Sequence, residues 1–151
     1  MLKELNHSDI DGKKIDTGID GILDISLGPA QNKVVCGLAD KKCVVLDIEK
    51  ERKNKKFIPC KTFDRHIYSV NSVNWHSYKS LIVSSSIHLS DTVKLWDPHS
   101  EELVHETNMH KSIVTKVMFH PEGNTYFSLG KDNIVVEHEL RKRGSVNTFC
   151  L

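Results

Sequence analysis

The sequence contains no apolar run near the roughly 18 residues that a membrane span needs. Its opening residues, MLKELNHSDIDGKK, have no apolar core of the kind found in a secretory signal peptide. Charge is balanced, because 21 Lys and Arg face 20 Asp and Glu for a net charge of +1. That balance argues against the basic domain typical of nucleic-acid binders. We therefore expect a soluble globular protein with neither a membrane nor a specific nucleic-acid sequence among its direct partners.

Cysteine and histidine are not arranged for metal binding. The four cysteines include no Cys-x-x-Cys pair, and the nine histidines form no Cys-His group with zinc-finger spacing. Cys36 and Cys43 lie in strand-like runs. We expect all four cysteines to be small buried hydrophobes of a reducing compartment, and we expect no metal and no cofactor.

Short apolar runs separated by Gly, Pro, Asn and Asp fill the chain from about residue 19 onward, which is typical of β-strands. No stretch keeps a 3.6-residue apolar period over ten or more positions, and only 2–6 favours a short helix. The predicted fold class is all-β. The strands fall into three groups of four: 22–26, 33–38, 43–48 and 57–63; 70–75, 81–85, 92–96 and 103–106; 114–119, 125–129, 134–138 and 145–149.

The three groups are repeats of one unit. The first strands end at Ile25, Trp75 and Phe119, at intervals of 50 and 44 residues. The third strands end on a bulky residue followed by an acid: Leu46-Asp47, Trp96-Asp97 and His138-Glu139. A period of about 40–45 residues with four strands per unit resembles the WD repeats that form β-propeller blades.

That resemblance implies an incomplete β-propeller of three four-stranded antiparallel blades at 19–63, 64–107 and 108–151, after a polar arm at 1–18. Propellers close with roughly four to eight blades. Three blades leave sheet faces and edges uncovered. We therefore expect either part of a larger ring or an assembly of copies.

The resemblance also implies a buried hydrogen-bonded chain in each blade, in which histidine, serine, aspartate and tryptophan satisfy one another. The predicted members in the second unit are His66, Ser85 (with Ser84 as the alternative), Asp91 and Trp96. Those in the third are His110, Ser128 and Asp132, with His138 in place of the tryptophan. The first unit has Asp40 and Leu46 but lacks a histidine.

Four stretches are similar to a narrower family, the Cockayne syndrome group A WD-repeat proteins. They are ELNHSDIDGKKIDTGIDGILDI (4–25), RHIYSVNSVNW (65–75), SSSIHLSDTVKLWD (84–97) and VVEHELRKRGS (135–145). The resemblance implies a nuclear substrate receptor of a cullin–RING ubiquitin ligase that acts in transcription-coupled nucleotide excision repair. Its implied partners are a propeller-shaped adaptor, the cullin, and repair and transcription proteins.

Leu2 and Leu5 in the arm, with Tyr68 and His105 on the blades, are the predicted partner-binding residues. The sequence departs from the family in two places. The arm is short, and His99 stands where adaptor-binding propellers often carry an arginine. Of the properties that the resemblance implies, adaptor binding is the one that these two departures support least.

A general WD-repeat scaffold without a ligase connection, acting in RNA processing or signalling, is the alternative hypothesis. An enzyme is disfavoured, because the sequence has no nucleophile elbow, phosphate loop or zinc-protease motif. Asp47, Asp97 and Glu139 recur once per unit, as structural residues of a repeat do. The basic runs at 50–56 and 141–144 are interpreted as solvated loops.

Overall fold

The computed structural model describes residues 21–30, 32–48, 59–88, 93–121, 123–141 and 145–150. These residues form strands β1 (Ile22–Leu27), β2 (Lys33–Leu38), β3 (Cys43–Asp47), β4 (Lys61–Phe63), β5 (Val70–Trp75), β6 (Ile82–Ser86), β7 (Val93–Asp97), β8 (Glu102–Thr107), β9 (Val114–Phe119), β10 (Thr125–Gly130), β11 (Ile134–Glu139) and β12 (Ser145–Cys150).

Each strand pairs antiparallel with the next along the chain, and pairing stops after every fourth strand. The result is sheet 1 (β1–β4), sheet 2 (β5–β8) and sheet 3 (β9–β12). The all-β prediction is confirmed, with four strands per sheet. The first group differs in its last strand, which begins at Lys61; residues 57 and 58 lie outside the described part of the chain. Each sheet falls inside one predicted unit, whose limits stay a prediction.

Two apolar layers hold the sheets face to face. Between sheets 1 and 2, Val35, Val45 and Phe63 pack with Trp75 and Trp96. The rings of Phe63 and Trp96 lie 5.2 Å apart between centroids, a favourable tilted contact. Burying a side chain of this size stabilises the fold by about 1.5–3 kcal/mol, so this layer is a main source of stability.

The second layer joins sheets 2 and 3. Val83 and Leu95 of sheet 2 meet Val117, Phe119 and Tyr126 of sheet 3. Residues 82 and 83 are neighbours on β6, yet Ile82 belongs to the first layer and Val83 to the second. This alternation follows from the period of two along a strand, and it lets sheet 2 use both faces.

The cysteine prediction is correct for two residues and wrong for two. Cys36 and Cys43 are buried strand residues, whereas Cys60 and Cys150 are exposed. Cys60 precedes β4 and Cys150 ends β12. Cys43 also lies at a strand end but belongs to the layer between sheets 1 and 2, whereas Cys60 and Cys150 belong to neither apolar layer.

The first strand of each sheet (β1, β5 and β9) is here called its inner strand, and the inner strands are joined by a repeated pattern of side-chain hydrogen bonds. On β1, Asp24 Oδ2 accepts a hydrogen bond from the Val73 N–H at 3.0 Å, and Ser26 Oγ accepts one from the Trp75 N–H at 3.0 Å. One sheet further, Ser72 Oγ accepts from the Val117 N–H at 3.2 Å and Asn74 Oδ1 from the Phe119 N–H at 2.8 Å. Polar side chains thus satisfy backbone donors at sheet edges that would otherwise be unpaired.

Asp24 connects all three inner strands. Its Oδ2 accepts hydrogen bonds from the Val73 N–H and from Ser72 Oγ (3.0 Å) on β5, and it pairs with Lys116 Nζ on β9 at 2.8 Å. Burial raises the pKa of the Asp24 carboxyl, but the bonds from Lys116, Val73 and Ser72 outweigh burial and hold that pKa below its ordinary value. The ionised carboxylate is therefore the stable form at neutral pH.

Replacing Asp24 by alanine is expected to lower the free energy of unfolding by roughly 2–4 kcal/mol, because it leaves the Val73 N–H and Ser72 without their shared acceptor. Urea denaturation followed by tryptophan fluorescence measures the loss. Asp40→Ala is the matched control, since Asp40 is exposed and its contacts within the described residues are with Lys42, two positions along the chain; we expect a change within about 0.5 kcal/mol. Equal effects of the two substitutions would contradict the role given to Asp24.

Candidate protein-interaction surface

A serine-centred hydrogen-bond chain lies inside sheet 2. Trp96 Nε1 donates to Ser84 Oγ at 2.8 Å, and His66 Nε2 lies 2.7 Å from the same oxygen. All three side chains are buried. Because an indole nitrogen can only donate, Ser84 accepts from Trp96 and can pass its own hydrogen to His66. The chain fixes Trp96 against Phe63 of sheet 1 while leaving no polar atom of the indole unpaired.

The serine of this chain is Ser84, not the predicted Ser85. Neighbouring residues on a strand point to opposite faces, so only one of the two can reach Trp96. Ser85 Oγ instead donates to Asn71 Oδ1 at 3.1 Å, and Asn71 Nδ2 donates to the Val114 carbonyl at 2.7 Å on the side of sheet 3. The predicted fourth member, Asp91, lies outside the described residues.

Sheet 3 contains the corresponding chain with a histidine in place of tryptophan. His110 Nδ1 lies 3.1 Å from Asp132 Oδ1, and His110 Nε2 lies 2.8 Å from Ser128 Oγ. Ser128 Oγ is in turn 2.8 Å from His138 Nε2. Because a carboxylate can only accept, Asp132 selects the His110 tautomer with its proton on Nδ1; in that tautomer Nε2 accepts from Ser128, and Ser128 accepts from His138. The structure thus brings together all three predicted members and His138.

His138 occupies the tryptophan position as a neutral ring. It stacks on Tyr126 with centroids 4.5 Å apart and planes 10° from parallel. Its Nδ1 is buried without a hydrogen-bond partner among the described residues. Burial, together with the charges of His110 and His105, lowers the pKa of His138 to about 4 from 6.5. A proton on this ring would place an unpaired charge in the core.

Gly130 provides space for the network of sheet 3. A Cβ atom at this position would overlap Asp132 Oδ1 and His110 Nδ1. Any larger residue would therefore push the pair apart. Sequence reasoning missed this requirement, and it also missed the acceptors Asp24, Ser26, Ser72 and Asn74, although polar residues at alternate positions of the first strands were visible in each of the first two units.

An exposed patch lies where the β4–β5 and β6–β7 connections meet. The rings of Tyr68 and His88 stack with centroids 4.0 Å apart. Beside them Ile67 is 58% exposed and Ile87 is 44% exposed. The Ile87 N–H donates to the Ser69 carbonyl at 3.0 Å and holds the two connections together. We call Ile67, Tyr68, Ile87 and His88 the loop patch; it is an apolar and aromatic surface of the kind that protein partners use.

The other predicted partner-binding residues do not join this patch. His105 lies in the middle of β8 opposite Leu95, is half-buried, and has no hydrogen-bond partner for its Nε2 within the described residues. Tyr68 precedes β5, which lies at the opposite edge of sheet 2 from β8. Leu2 and Leu5 lie outside the part of the chain that the structure describes.

In the described ranges, no group of three or more His, Cys, Asp or Glu side chains is placed to hold a metal ion. No described helix is long and apolar enough to cross a bilayer.

Ser84→Ala is expected to reduce the free energy of unfolding by about 1–3 kcal/mol, because it leaves the buried Trp96 N–H and His66 without their common partner. Ser85→Ala is the matched control one residue away. It should cost less, since Asn71 is only partly buried and keeps its bond to Val114. Thermal or urea unfolding of both variants makes the comparison. A larger loss for Ser85→Ala would show that the wrong serine has been placed in the chain.

The low pKa of His138 predicts acid sensitivity. The unfolded chain takes up a proton on this ring below about pH 6.5, whereas the folded chain resists protonation until about pH 4. This contribution to stability is complete above pH 6.5 and is lost as the pH falls toward 4. Relative to His138→Phe, wild type should lose about 2 kcal/mol between pH 8 and pH 5. Parallel urea titrations test this, and identical pH slopes would refute it.

Residues 57–97 match the WD domain, G-beta repeat family. The matched range begins before β4 of sheet 1, continues through β5, β6 and β7 of sheet 2, and ends at Trp96-Asp97. One sequence repeat therefore spans the junction of two sheets. The resemblance to WD repeats is confirmed for residues 57–97.

Three relatives are similar to parts of the chain. Histone acetyltransferase type B subunit 2 of Candida glabrata is 31% identical over 109 residues, which cover 72% of this chain and 25% of that protein. Pre-mRNA-processing factor 19 of Bos taurus is 31% identical over 115 residues, covering 76% and 21%. Polyadenylation factor subunit 2 of Gibberella zeae is 43% identical over 54 residues, covering 36% and 8%.

The chain thus spans about a quarter or less of the length of these curated relatives. Their names refer to chromatin and RNA processing, and none of the three is named for the Cockayne syndrome group A family. Residues 57–97 therefore carry a WD repeat, and the three four-stranded antiparallel sheets are consistent with WD40 propeller blades.

Proposed function

We propose that the chain is a non-enzymatic scaffold in a nuclear assembly that processes RNA or modifies chromatin. WD repeats are typically non-catalytic interaction modules. The relatives named for pre-mRNA processing, polyadenylation and histone acetylation support this setting over the ligase hypothesis. The nuclear location is part of the proposal and rests on the same names.

The observation that carries the scaffold role is the loop patch. Ile67 and Ile87 expose apolar surface beside the stacked Tyr68–His88 pair, and the Ile87–Ser69 backbone bond fixes their separation. Aromatic and aliphatic anchors at the centre of an interface contribute most of the binding energy in protein complexes. The Ile87–Ser69 bond and the stacked rings restrict the patch before binding, which lowers the conformational entropy that the chain loses when a partner binds.

The sheets explain how such a surface can organise other proteins. The inner-strand bonds and two apolar layers hold three sheets in a fixed relation. Partners bound at the loops would therefore be held at set distances and orientations, which raises their effective concentration toward one another. This contribution is proximity, and it needs no catalytic group on the chain.

The finer hypothesis, a substrate receptor of a cullin–RING ligase in DNA repair, is supported by the resemblance of residues 65–75 and 84–97 to the Cockayne syndrome group A family. Tyr68, within the first stretch, is half of the aromatic pair of the loop patch. Recovery of the propeller adaptor and the cullin with the chain would favour this hypothesis over the RNA-processing or chromatin setting.

The experiment is quantitative affinity purification of the whole chain from nuclear extract, in wild type and in an Ile67→Ser, Ile87→Ser double variant. We expect subunits of one RNA-processing or chromatin assembly to co-purify with wild type, and their recovery to fall about tenfold or more in the double variant, as expected for loss of anchor residues. Both substituted side chains are exposed, so the melting temperature should not change.

Tyr78→Ser is the matched control. Tyr78 is 77% exposed in the β5–β6 connection, at the other end of sheet 2 from the loop patch. Its loss should leave the partner set unchanged. Equal recovery in all three proteins, or loss in the Tyr78 variant alone, would contradict the assignment of the loop patch.

A further inference from the structure

The loop patch lies between connections of sheets 1 and 3 at one end of the three sheets. Ser69, beside the patch, donates its Oγ hydrogen to the Ala39 carbonyl at 2.8 Å, at the start of the β2–β3 turn of sheet 1. Toward sheet 3, Asn71 Nδ2 donates to the carbonyl of Val114, the residue with which β9 begins. A partner seated on the patch would therefore also meet the β2–β3 turn and the β8–β9 connection.

Cations from three connections flank the loop patch. Lys41 lies in the β2–β3 turn, Arg65 lies two residues before Ile67, and Lys111 lies in the β8–β9 connection. All three are exposed, and none of their side chains forms an ion pair or a hydrogen bond with another described residue. Their charges are therefore available to a partner.

Positive charge exceeds negative charge at this end of the sheets. The described connections there are 39–42, 64–69, 87–88, 108–113 and 131–133. They contain five Lys or Arg and three Asp, a net charge of +2 with histidine neutral. One of these acids, Asp40, already pairs with Lys42 at 3.1 Å. The described surroundings of the loop patch are therefore electropositive, whereas the whole chain has a net charge of only +1.

We propose that the loop patch binds a short segment of a protein partner in which an aliphatic or aromatic residue is flanked by Asp or Glu. This rests on the proposed function, which makes the loop patch the partner surface, and it adds the chemistry of the partner. The apolar residue packs against Ile67 and Ile87 at the centre of the surface. The flanking carboxylates pair with the cations at the rim, where charge chiefly sets the association rate and the choice of partner.

Segments of positive charge and single-stranded nucleic acids fit this surface less well. A segment rich in Lys or Arg would place like charges beside Lys41, Arg65 and Lys111, which costs binding energy. Single-stranded nucleic acids are held in large part by stacking of their bases on aromatic side chains. The rings of Tyr68 and His88 already stack on each other with centroids 4.0 Å apart, so one face of each ring is covered.

The test is selection from a library of short random peptides displayed on phage, with the purified whole chain as bait. Peptides that also bind the Ile67→Ser, Ile87→Ser double variant are removed, so that the remaining peptides depend on the loop patch. We expect these peptides to be enriched in Asp and Glu next to an aliphatic or aromatic residue. Peptides without acidic enrichment, peptides rich in Lys or Arg, or the absence of any patch-dependent peptide would overturn the proposal.

The most enriched peptide is then synthesised, and its affinity for the whole chain is measured by fluorescence anisotropy. Arg65→Gln with Lys111→Gln should weaken binding about fivefold, since two exposed charge contacts are lost. Lys33→Gln with Arg141→Gln is the matched control, because both residues are exposed at the opposite end of the sheets and the net charge changes equally. Equal losses in the two double variants, or tighter binding of a short single-stranded oligonucleotide than of the peptide, would be incompatible with an acidic partner segment.

The Arg65→Gln, Lys111→Gln variant also distinguishes failure of this proposal from failure of the proposed function. If nuclear partners are lost from the Ile67→Ser, Ile87→Ser variant but fully retained by the charge variant, the loop patch stands as the partner surface and the acidic segment is wrong. If the isoleucine variant keeps all nuclear partners, the proposed function fails whatever peptides are selected.

Discussion

The carboxylate of Asp24 is the contact on which the arrangement of the three sheets depends. One oxygen atom receives a backbone N–H and a hydroxyl from β5 and an ammonium group from β9, while its own backbone belongs to β1. A sheet edge normally presents unpaired backbone donors that attract other strands. Here the side chains of the preceding sheet occupy those donors, and the same contacts set the spacing at which the two apolar layers close.

The pattern of side-chain acceptors on the inner strands is not repeated on β9. The positions that carry acceptors on β5, Ser72 and Asn74, correspond by the spacing of Val73 and Val117 to Lys116 and Met118 on β9. Lysine and methionine side chains have no oxygen atom, so they cannot provide the acceptors that join sheet 1 to sheet 2 and sheet 2 to sheet 3. Lys116 instead pairs with Asp24, and Met118 is 52% exposed. Any surface that covers the outer face of sheet 3 must therefore use contacts different from those that join the described sheets.

The two serine-centred chains show how the repeat tolerates a changed residue. In sheet 2 an indole donates to Ser84, and in sheet 3 an imidazole donates to Ser128 at the same 2.8 Å. A neutral histidine retains the donor and a flat ring that stacks on Tyr126. The imidazole also has a second nitrogen, Nδ1, which an indole lacks. This nitrogen is readily protonated in water but resists protonation in the buried core. The substitution keeps the geometry and makes the stability of the sheet depend on pH.

The strands were predictable because each is a short run bounded by turn residues, whether alternating as in β8 or continuously buried as in β3. The repeat was predictable because Trp96-Asp97 and its two weaker counterparts keep phase. The choice between Ser84 and Ser85 was harder, since a shift of one residue reverses the face of the sheet and both are serines. The contact of Asp24 with Lys116 joins residues 92 positions apart and depends on how sheets stack, which no local pattern encodes.

Native-state amide hydrogen exchange tests the central claim most directly, because it reads the inner-strand bonds one donor at a time. We expect the N–H groups of Val73, Trp75, Val117 and Phe119 to be as strongly protected as amides paired inside the sheets, although they point out of the edges of β5 and β9 toward the neighbouring sheet. Exchange of these four amides at the rate of solvent-exposed strand edges would contradict it, because the inner-strand bonds would then not hold the sheets together.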